Sequence, residues 1–435
     1  MDSQAIRPQT VEERIVWYAL RYTYLLYAIG ALYLLAPAIA WILLAIAGWR
    51  YASLGRLHPL LPRHCLPLGI WIWVLGMFCM LVILWVGHLD FNLGLAKTIK
   101  STIGWAKGWA LLAIFPLIGC CQIRPAVIIR ASMHVCLQTL VLLPVFIAAW
   151  LIRLPETLYI SPLQAVGGPG PEFFALNLYE IDPGSGWPRW RMFTPWAPAL
   201  GFVANLWFLF AMKEKDWRWK VIGTTATIIM ILMSGSRLAI VALVLVYPLS
   251  IAVEKIKHPA VPFGLGFMST IIGVAAIPLY NAAAYAIETF RAARAGSSRV
   301  RSALARIAVD RSLNESPIWG HGIVERGPHL VEFMPIGSHH TWLGLLFVKG
   351  ILGIIALAIP MLFTLAKFIF VSEPPVTRQL GFAILVLLGF YSLGENLEML
   401  AYLIWPGLIY IGIVFRDIEI HAQKSKTEEC KYAAS

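Results

Sequence analysis

The chain has 435 residues, 59% hydrophobic and 13% charged, with a mean hydropathy of +0.73 and a net charge of +12. A soluble domain carries about a quarter charged residues, so the composition excludes an ordinary globular fold. A transmembrane barrel would show short alternating segments; here the apolar runs are long enough to cross roughly 30 Å of hydrocarbon as helices.

In chain order the runs fall near 24–47, 66–87, 103–121, 127–151, 197–212, 219–235, 237–253, 262–286, 341–370, 379–394 and 399–416. The fold class predicted is an all-α polytopic membrane protein. It has eleven spans, or twelve if the first run, from Ile15 to Trp49 and interrupted by Pro37, divides in two. Residues 1–435 form a single transmembrane domain, with polar segments at 153–196 and 287–340 and a polar tail at 417–435. No repeat of solenoid length is present. The six cysteines lack metal-ligand spacing and are expected to be small apolar fillers. The polar first dozen residues lead into no small-residue cleavage site, so no removable signal peptide is expected.

Short basic loops set the orientation, because Lys and Arg are retained on the cytoplasmic side. "KEKDWRWK" (213–220), "EKIKH" (254–258), the link around Arg378, the tail and the loop with Arg50, Arg56 and Arg63 are predicted to face inward. Parity then puts 153–196 and 287–340 outside. Arg7 and Arg14 favour twelve spans with a cytoplasmic N-terminus. No nucleic-acid partner is expected; the partners are membrane lipids and whatever the outer segments bind.

The second outer segment departs from that charge rule. Between 287 and 340 it holds seven arginines (Arg291, Arg294, Arg299, Arg301, Arg306, Arg311 and Arg326), no lysine, five acids and four of the ten histidines. Arginine without lysine suits bidentate recognition of phosphate or carboxylate, since a planar guanidinium matches two oxygens; the alternative is a solvated basic helix face. "AGSSRVRSALARIAVDRSLNESPIWGHG" reads as a helix broken before by Gly296, capped by Ser297 or Ser298 and ended by Pro317. Val300, Ala303, Leu304 and Ile307 share one stripe, expected to lie on the membrane surface. Arg299 and Arg306 flank one edge and Arg301 the other, and Asp310 is placed to pair with Arg306.

"LMSGSRLAIVAL" sets Arg237 between two apolar segments, where an unpaired charge is costly. It reads either as a phosphate clamp at the floor of an outward cavity or as a snorkelling side chain. "GSHHTW" puts His339 and His340 at the mouth of the next span. Metal ligation would need further ligands at a recognisable spacing, and His321 and His329 do not supply one. A general base beside an arginine cluster is the preferred reading: arginines hold a phosphorylated leaving group while a histidine deprotonates an attacking hydroxyl.

Three motifs occur in a telling order. "SGSRLAIVALVLV", "ESPIWGHG" and "GSHHTWLGLLFVKGILGIIAL" resemble the serine-arginine motif, the Pro-x-x-Gly-x-Gly turn and the histidine signature of the O-antigen ligase and polysaccharide polymerase superfamily, over about residues 190–415. The N-terminal half matches only as a stack of membrane helices. The resemblance implies a GT-C-like, metal-independent inverting glycosyltransferase of the bacterial inner membrane, without cofactor. It would use a glycan on undecaprenyl pyrophosphate at the periplasmic face. It also implies His339 as the family histidine, with His340 where asparagine is common, so that either could be catalytic. Arg237 takes the first pyrophosphate arginine; Arg301, then Arg299 or Arg306, the second; and Arg191, in "RWRMFTPWAPALG", a further one.

The ligase subclass takes lipid A-core as acceptor and the polymerase subclass another lipid-linked glycan. The Arg-x10-Gly pairs of some polymerases occur here only in the second outer segment, at Arg311…Gly322 and Arg326…Gly337, which tilts the reading to ligase. The outer tryptophans Trp187, Trp190, Trp196, Trp319 and Trp342 are candidates for sugar stacking or for an interfacial belt. A lipid-linked glycan transporter is the rival class. It would show internal repeats and ionisable residues at mid-membrane, and only Lys349, otherwise a snorkelling or carbonyl-capping lysine, fits that place.

Overall fold

The computed structural model describes residues 6–182, 186–255, 260–278, 280–281, 284–285, 295–331, 333–337, 339–371 and 374–433. Arg291 and Arg294 lie outside the described residues.

The first apolar run does divide, though not at the proline. Helix α1 (Val11–Arg21), capped by the Thr10 hydroxyl, leads into α2 (Thr23–Ala28) and then α3 (Leu32–Leu54), which contains Pro37. The chain turns at Gly30, where φ is +71° and an added Cβ would lie 2.3 Å from Ser161 Cβ. Pro37, the sixth residue of α3, forgoes one helical bond yet leaves the helix continuous, whereas the turn at Gly30 needs both a left-handed residue and a missing side chain. The chain continues through α4 (Leu68–Asp90), α5 (Leu95–Lys107), α6 (Leu111–Gly119) and α7 (Pro125–Leu151). After a polar segment come α8 (Ala197–Lys213), α9 (Trp217–Ser234), α10 (Arg237–Glu254) and α11 (Ala260–Val274). A second long connection carries α12 (Ala295–Glu315), followed by α13 (Thr341–Phe370), α14 (Arg378–Ser392) and α15 (Leu397–Ala433), which runs on through most of the expected tail. Among the described residues seven segments are long and apolar enough to cross a membrane, and α8 and α14 are shorter apolar helices. The molecule is thus a predominantly helical membrane-type bundle.

The bundle has two chemically distinct ends. At one, arginines close the helix termini: Arg50 pairs with Glu12 at 2.8 Å, Arg124 with Glu13 at 2.7 Å and Arg130 with Glu214 at 2.8 Å. Arg416 Nη1 donates to the Cys121 carbonyl at 2.8 Å, and the Thr10 hydroxyl to the Gln122 carbonyl at 3.1 Å, so the starts of α1 and α7 and the far part of α15 share this basic end. The other end carries both polar segments. The first holds two antiparallel hairpins: β1 (Thr157–Ile160) with β2 (Ala175–Asn177), and β3 (Tyr179–Ile181) with β4 (Pro188–Trp190). They dock on the turn between α2 and α3 through Ser161 Oγ, which donates to the Ile29 carbonyl at 2.9 Å.

The predicted stripe of α12 is present, but it covers protein. Val300, Ala303, Leu304 and Ala308 pack with Val331, Ile336 and Phe347 of α13, so the helix leans on the bundle and is not laid on a membrane surface. Phe347, Val331 and Ile336 are the partners of its apolar side. Gly296 sits inside the helix and does not break it, a cost of about 1 kcal/mol that stripe burial outweighs.

Helix α13 is interrupted at Gly350 (φ 63°, ψ −164°), and the Pro-x-x-Gly-x-Gly turn fills the break. His321 N and Gly322 N donate to the Phe347 and Val348 carbonyls, both at 2.9 Å, while Ile351 N donates to the Pro317 carbonyl at 2.9 Å. Buried backbone groups must find partners in an apolar interior, and here a non-helical turn supplies them. Gly320 and Gly350 meet backbone to backbone: an added Cβ would come within 2.4 Å of Lys349 N or 2.2 Å of the Ile318 carbonyl oxygen. The buried Lys349 donates to the Met80 carbonyl at 3.4 Å, the carbonyl-capping role.

Candidate functional site

Four segments converge at the loop end: the start of α13, the turn between α14 and α15, the outward edge of α12, and the β4 strand over the α9–α10 turn. The histidine pair is fixed by its neighbours. His340 caps α13, its Nδ1 accepting from Leu343 N at 3.4 Å. Thr341 donates twice to the Glu395 carbonyl, from N at 3.1 Å and from Oγ1 at 2.7 Å, and accepts from Leu397 N at 3.1 Å. The histidine loop is thereby clamped to the 393–396 turn.

That turn holds a buried carboxyl. Glu395 Oε2 accepts from Trp196 Nε1 at 2.9 Å. Burial pushes Glu395 up to about 7 against the opposing pull of Arg301, the Trp196 bond and Arg189, so it titrates near neutrality. His339 is pushed the other way: burial first, then the Arg301 charge, hold its imidazole down at about 4. At neutral pH the imidazole is uncharged and able to accept a proton. Burial also lowers His340, whose Nδ1 is already occupied as the cap. The two histidines therefore have different tasks.

Arg301 is the arginine of α12 that bears on both His339 and Glu395. At roughly 100° per residue Arg299 and Arg306 stand on the other side of the helix; all three arginines are exposed. The expected Arg306–Asp310 pair is not formed; Asp310 accepts from Asn314 at 3.1 Å. Arg311 makes the corresponding pair, with Glu315 at 2.7 Å, and reaches Glu325 at 2.6 Å. Two acids, one a helical turn ahead, offer Arg311 more than one exposed aspartate offers Arg306. His321 is engaged on both ring nitrogens, at 3.0 Å from the Phe347 carbonyl and 2.7 Å from Glu315.

Arg237 is the first residue of α10, after a turn in which Gly235 ends α9 left-handed and Ser236 caps α10. It is half-buried, and its neighbour Leu238 reaches the 393–396 turn: an added Cβ on Gly394 would lie 2.8 Å from Leu238 Cδ2. Arg191 is bound to Glu180 at 2.5 Å. The arginine that reaches the Ser-Gly-Ser turn is Arg189: its Nε donates to the Ser234 carbonyl at 3.0 Å, and it lies 3.4 Å from Glu180 and 3.5 Å from Asp182.

Sequence reasoning missed Arg189 and undervalued Glu395. The period-2 alternation that puts Arg189 and Arg191 on one side of "PRWR" was the available signal, and three residues of strand are too few to display it. Glu395 was visible only as an acid at a helix end. Of the outer tryptophans, Trp196 holds Glu395, Trp190 donates to the Phe146 carbonyl at 3.1 Å, Trp342 donates to Ser392 at 2.8 Å, and Trp187 is exposed. Arg301 thus bears on a neutral imidazole and, with Arg189, on a carboxyl poised near neutrality, a setting suited to holding an anionic group while a hydroxyl loses its proton. No protein-family model matches the chain, and no curated protein does.

Proposed function

We propose that this protein is a glycosyltransferase of the bacterial inner membrane that works at the periplasmic face, with twelve traversals and both termini cytoplasmic. It transfers a glycan from undecaprenyl pyrophosphate to a hydroxyl acceptor. Within that reaction it acts as an O-antigen ligase on lipid A-core; a repeat-unit polymerase would use the same site with a different acceptor. The observation that carries the reading is the uncharged His339 imidazole under the charge of Arg301, in a loop that Thr341 clamps to the turn of buried Glu395, on which Arg301 also acts.

His339 accepts the proton of the acceptor hydroxyl as its oxygen attacks the anomeric carbon from the face opposite the leaving group. The bond from that carbon to the diphosphate oxygen breaks, and the diphosphate departs with the electron pair. Arg237 and Arg301, with Arg189 behind them, stabilise that charge as it develops. The new bond has the inverted configuration.

An apolar groove of about 500 Å³ supports a lipid-borne donor. It runs between α13 and α14, lined by Trp342, Met361, Leu362, Leu365, Leu385 and Phe390, and begins two residues past His340. A polyprenyl chain lying there would bring its diphosphate to the arginines.

The test is complementation in a Gram-negative host lacking its own enzyme, read on lipopolysaccharide gels. The wild-type chain is expected to restore long-chain product, and His339→Ala or Arg237→Ala at equal protein level to lose it. Normal product from both variants would refute the proposal. Loss of all O-antigen on core identifies a ligase, whereas attachment of a single repeat identifies a polymerase.

A further inference from the structure

The β3–β4 hairpin presents two different faces. Glu180 stands opposite Arg189 in the register, and its carboxylate holds both Arg189 and Arg191 on the side of the arginine cluster. Successive strand residues point to opposite faces, so Tyr179 and Ile181 look the other way. There they line, with Trp150, Leu151 and Arg153, a cavity of about 430 Å³, a size typical of small-molecule sites. The catalytic reading makes no use of it.

Its aromatic walls are fixed. Trp150 meets Trp190 edge to face at 6.4 Å, and the Tyr179 hydroxyl donates to the Leu154 carbonyl. The cation is placed at a backbone cost. Helix α7 ends with Arg153 N donating to the Trp150 carbonyl at 3.0 Å and Leu154 N to the Ala149 carbonyl at 2.9 Å. That is the helix ending in which glycine is usual at the left-handed position. Arg153 occupies it with φ at 57°, a conformation that a branched-off Cβ disfavours. The conformation sets the arginine at the cavity wall beside two aromatic rings.

We propose that this cavity is an anionic-saccharide subsite for the acceptor: a sugar ring lays its C–H face on Trp150, with buried Tyr179 as the supporting wall, while a carboxylate or phosphate on that ring meets the Arg153 guanidinium. Aromatic faces suit the apolar face of a pyranose, and the guanidinium fork suits a two-oxygen anion. Because the cavity and the arginine cluster flank the same hairpin, the sugar bound here is a part of the acceptor remote from the attacking hydroxyl. The assignment to the acceptor rests on the glycosyl-transfer reading; the recognition of a charged sugar does not.

Saturation-transfer NMR on the full-length protein in phosphatidylcholine nanodiscs tests it, with methyl β-glucuronide and methyl β-glucoside as probes. The glucuronide is expected to bind roughly tenfold or more tighter than the glucoside, the worth of one charge-assisted hydrogen bond. Arg153→Gly relieves the backbone, so the variant should fold with unchanged or raised Tm, yet lose that preference; Arg153→Lys should keep part of it. In a transfer assay Arg153→Gly should raise KM for the acceptor about tenfold, leaving kcat and the donor KM unaltered. Equal binding of the two probes, or glucuronide binding unchanged in Arg153→Gly, would overturn the proposal, as would displacement of the glucuronide by phosphatidylglycerol, which would give the site to a lipid headgroup. Glucuronide binding that depends on Arg153 in a protein without transfer activity would sustain the charged-sugar subsite and sink the transferase reading instead.

Discussion

His339 and Glu395 share Arg301, whose charge lowers both, while burial drives the imidazole down and the carboxyl up. Burial and the Arg301 charge both disfavour an imidazolium, while the same charge partly offsets the burial that raises Glu395. Replacing Arg301 with Gln removes a positive neighbour, so the His339 imidazole should rise from about 4 toward its ordinary value. In a pH–rate profile the acidic limb of Arg301→Gln is expected to move to higher pH, in addition to an overall fall in rate. An acidic limb unchanged in position would show that the limb belongs to another group. Glu395 has the converse influence: as pH rises through about 7 its carboxylate ionises, and in the proposed reaction it would compete with the anionic donor for Arg301 and Arg189. Donor KM should therefore climb across that range in the wild type and stay flat in Glu395→Gln, which keeps an acceptor for Trp196 Nε1.

The elements that aim these residues are held by contacts that substitutions can probe. Leu304 anchors α12 against Phe347 and Val331, and Leu304→Ala should cost about 2–5 kcal/mol of local packing. Because α12 carries Arg301, donor KM should rise with it, while Leu313→Ala, on an exposed part of the same helix, should leave both Tm and KM alone. Gly320→Ala would force a Cβ to 2.4 Å from Lys349 N in a left-handed turn. The expected cost is about 2–4 kcal/mol, read as a lower Tm and reduced yield in detergent. The α12 stripe was legible because twenty-one residues give the helical period room to repeat. Its partner was not, since amphipathicity marks a buried face without saying whether lipid or protein buries it. The glycines of "WGHG" were legible as a turn, but the docking of that turn into α13 depends on Gly350, far along the chain, and no local pattern encodes it.

For the whole molecule, the expected sidedness came from where arginines and lysines fall in short loops; at one end of the bundle Arg50, Arg124 and Arg130 are ion-paired with Glu12, Glu13 and Glu214. Whether the first run divides was left open by the sequence, and the position of the break was not legible, because the need for a glycine at residue 30 comes from Ser161 in another segment. The sidedness of the two ends is open to a direct check: in a cysteine-less background, a cysteine at Trp187 should react with an impermeant maleimide in intact cells permeable at the outer membrane, and one at Lys215 only after lysis. Chemistry at the loop end is the claim on which the rest depends. It is tested most directly by the rate at which purified, reconstituted protein moves glycan from undecaprenyl pyrophosphate to an acceptor, compared between the wild type and His339→Ala. A loss of about 10²–10⁴-fold, the usual worth of a general base, with donor binding retained, is the expected result; a variant that turns over at the wild-type rate would contradict it.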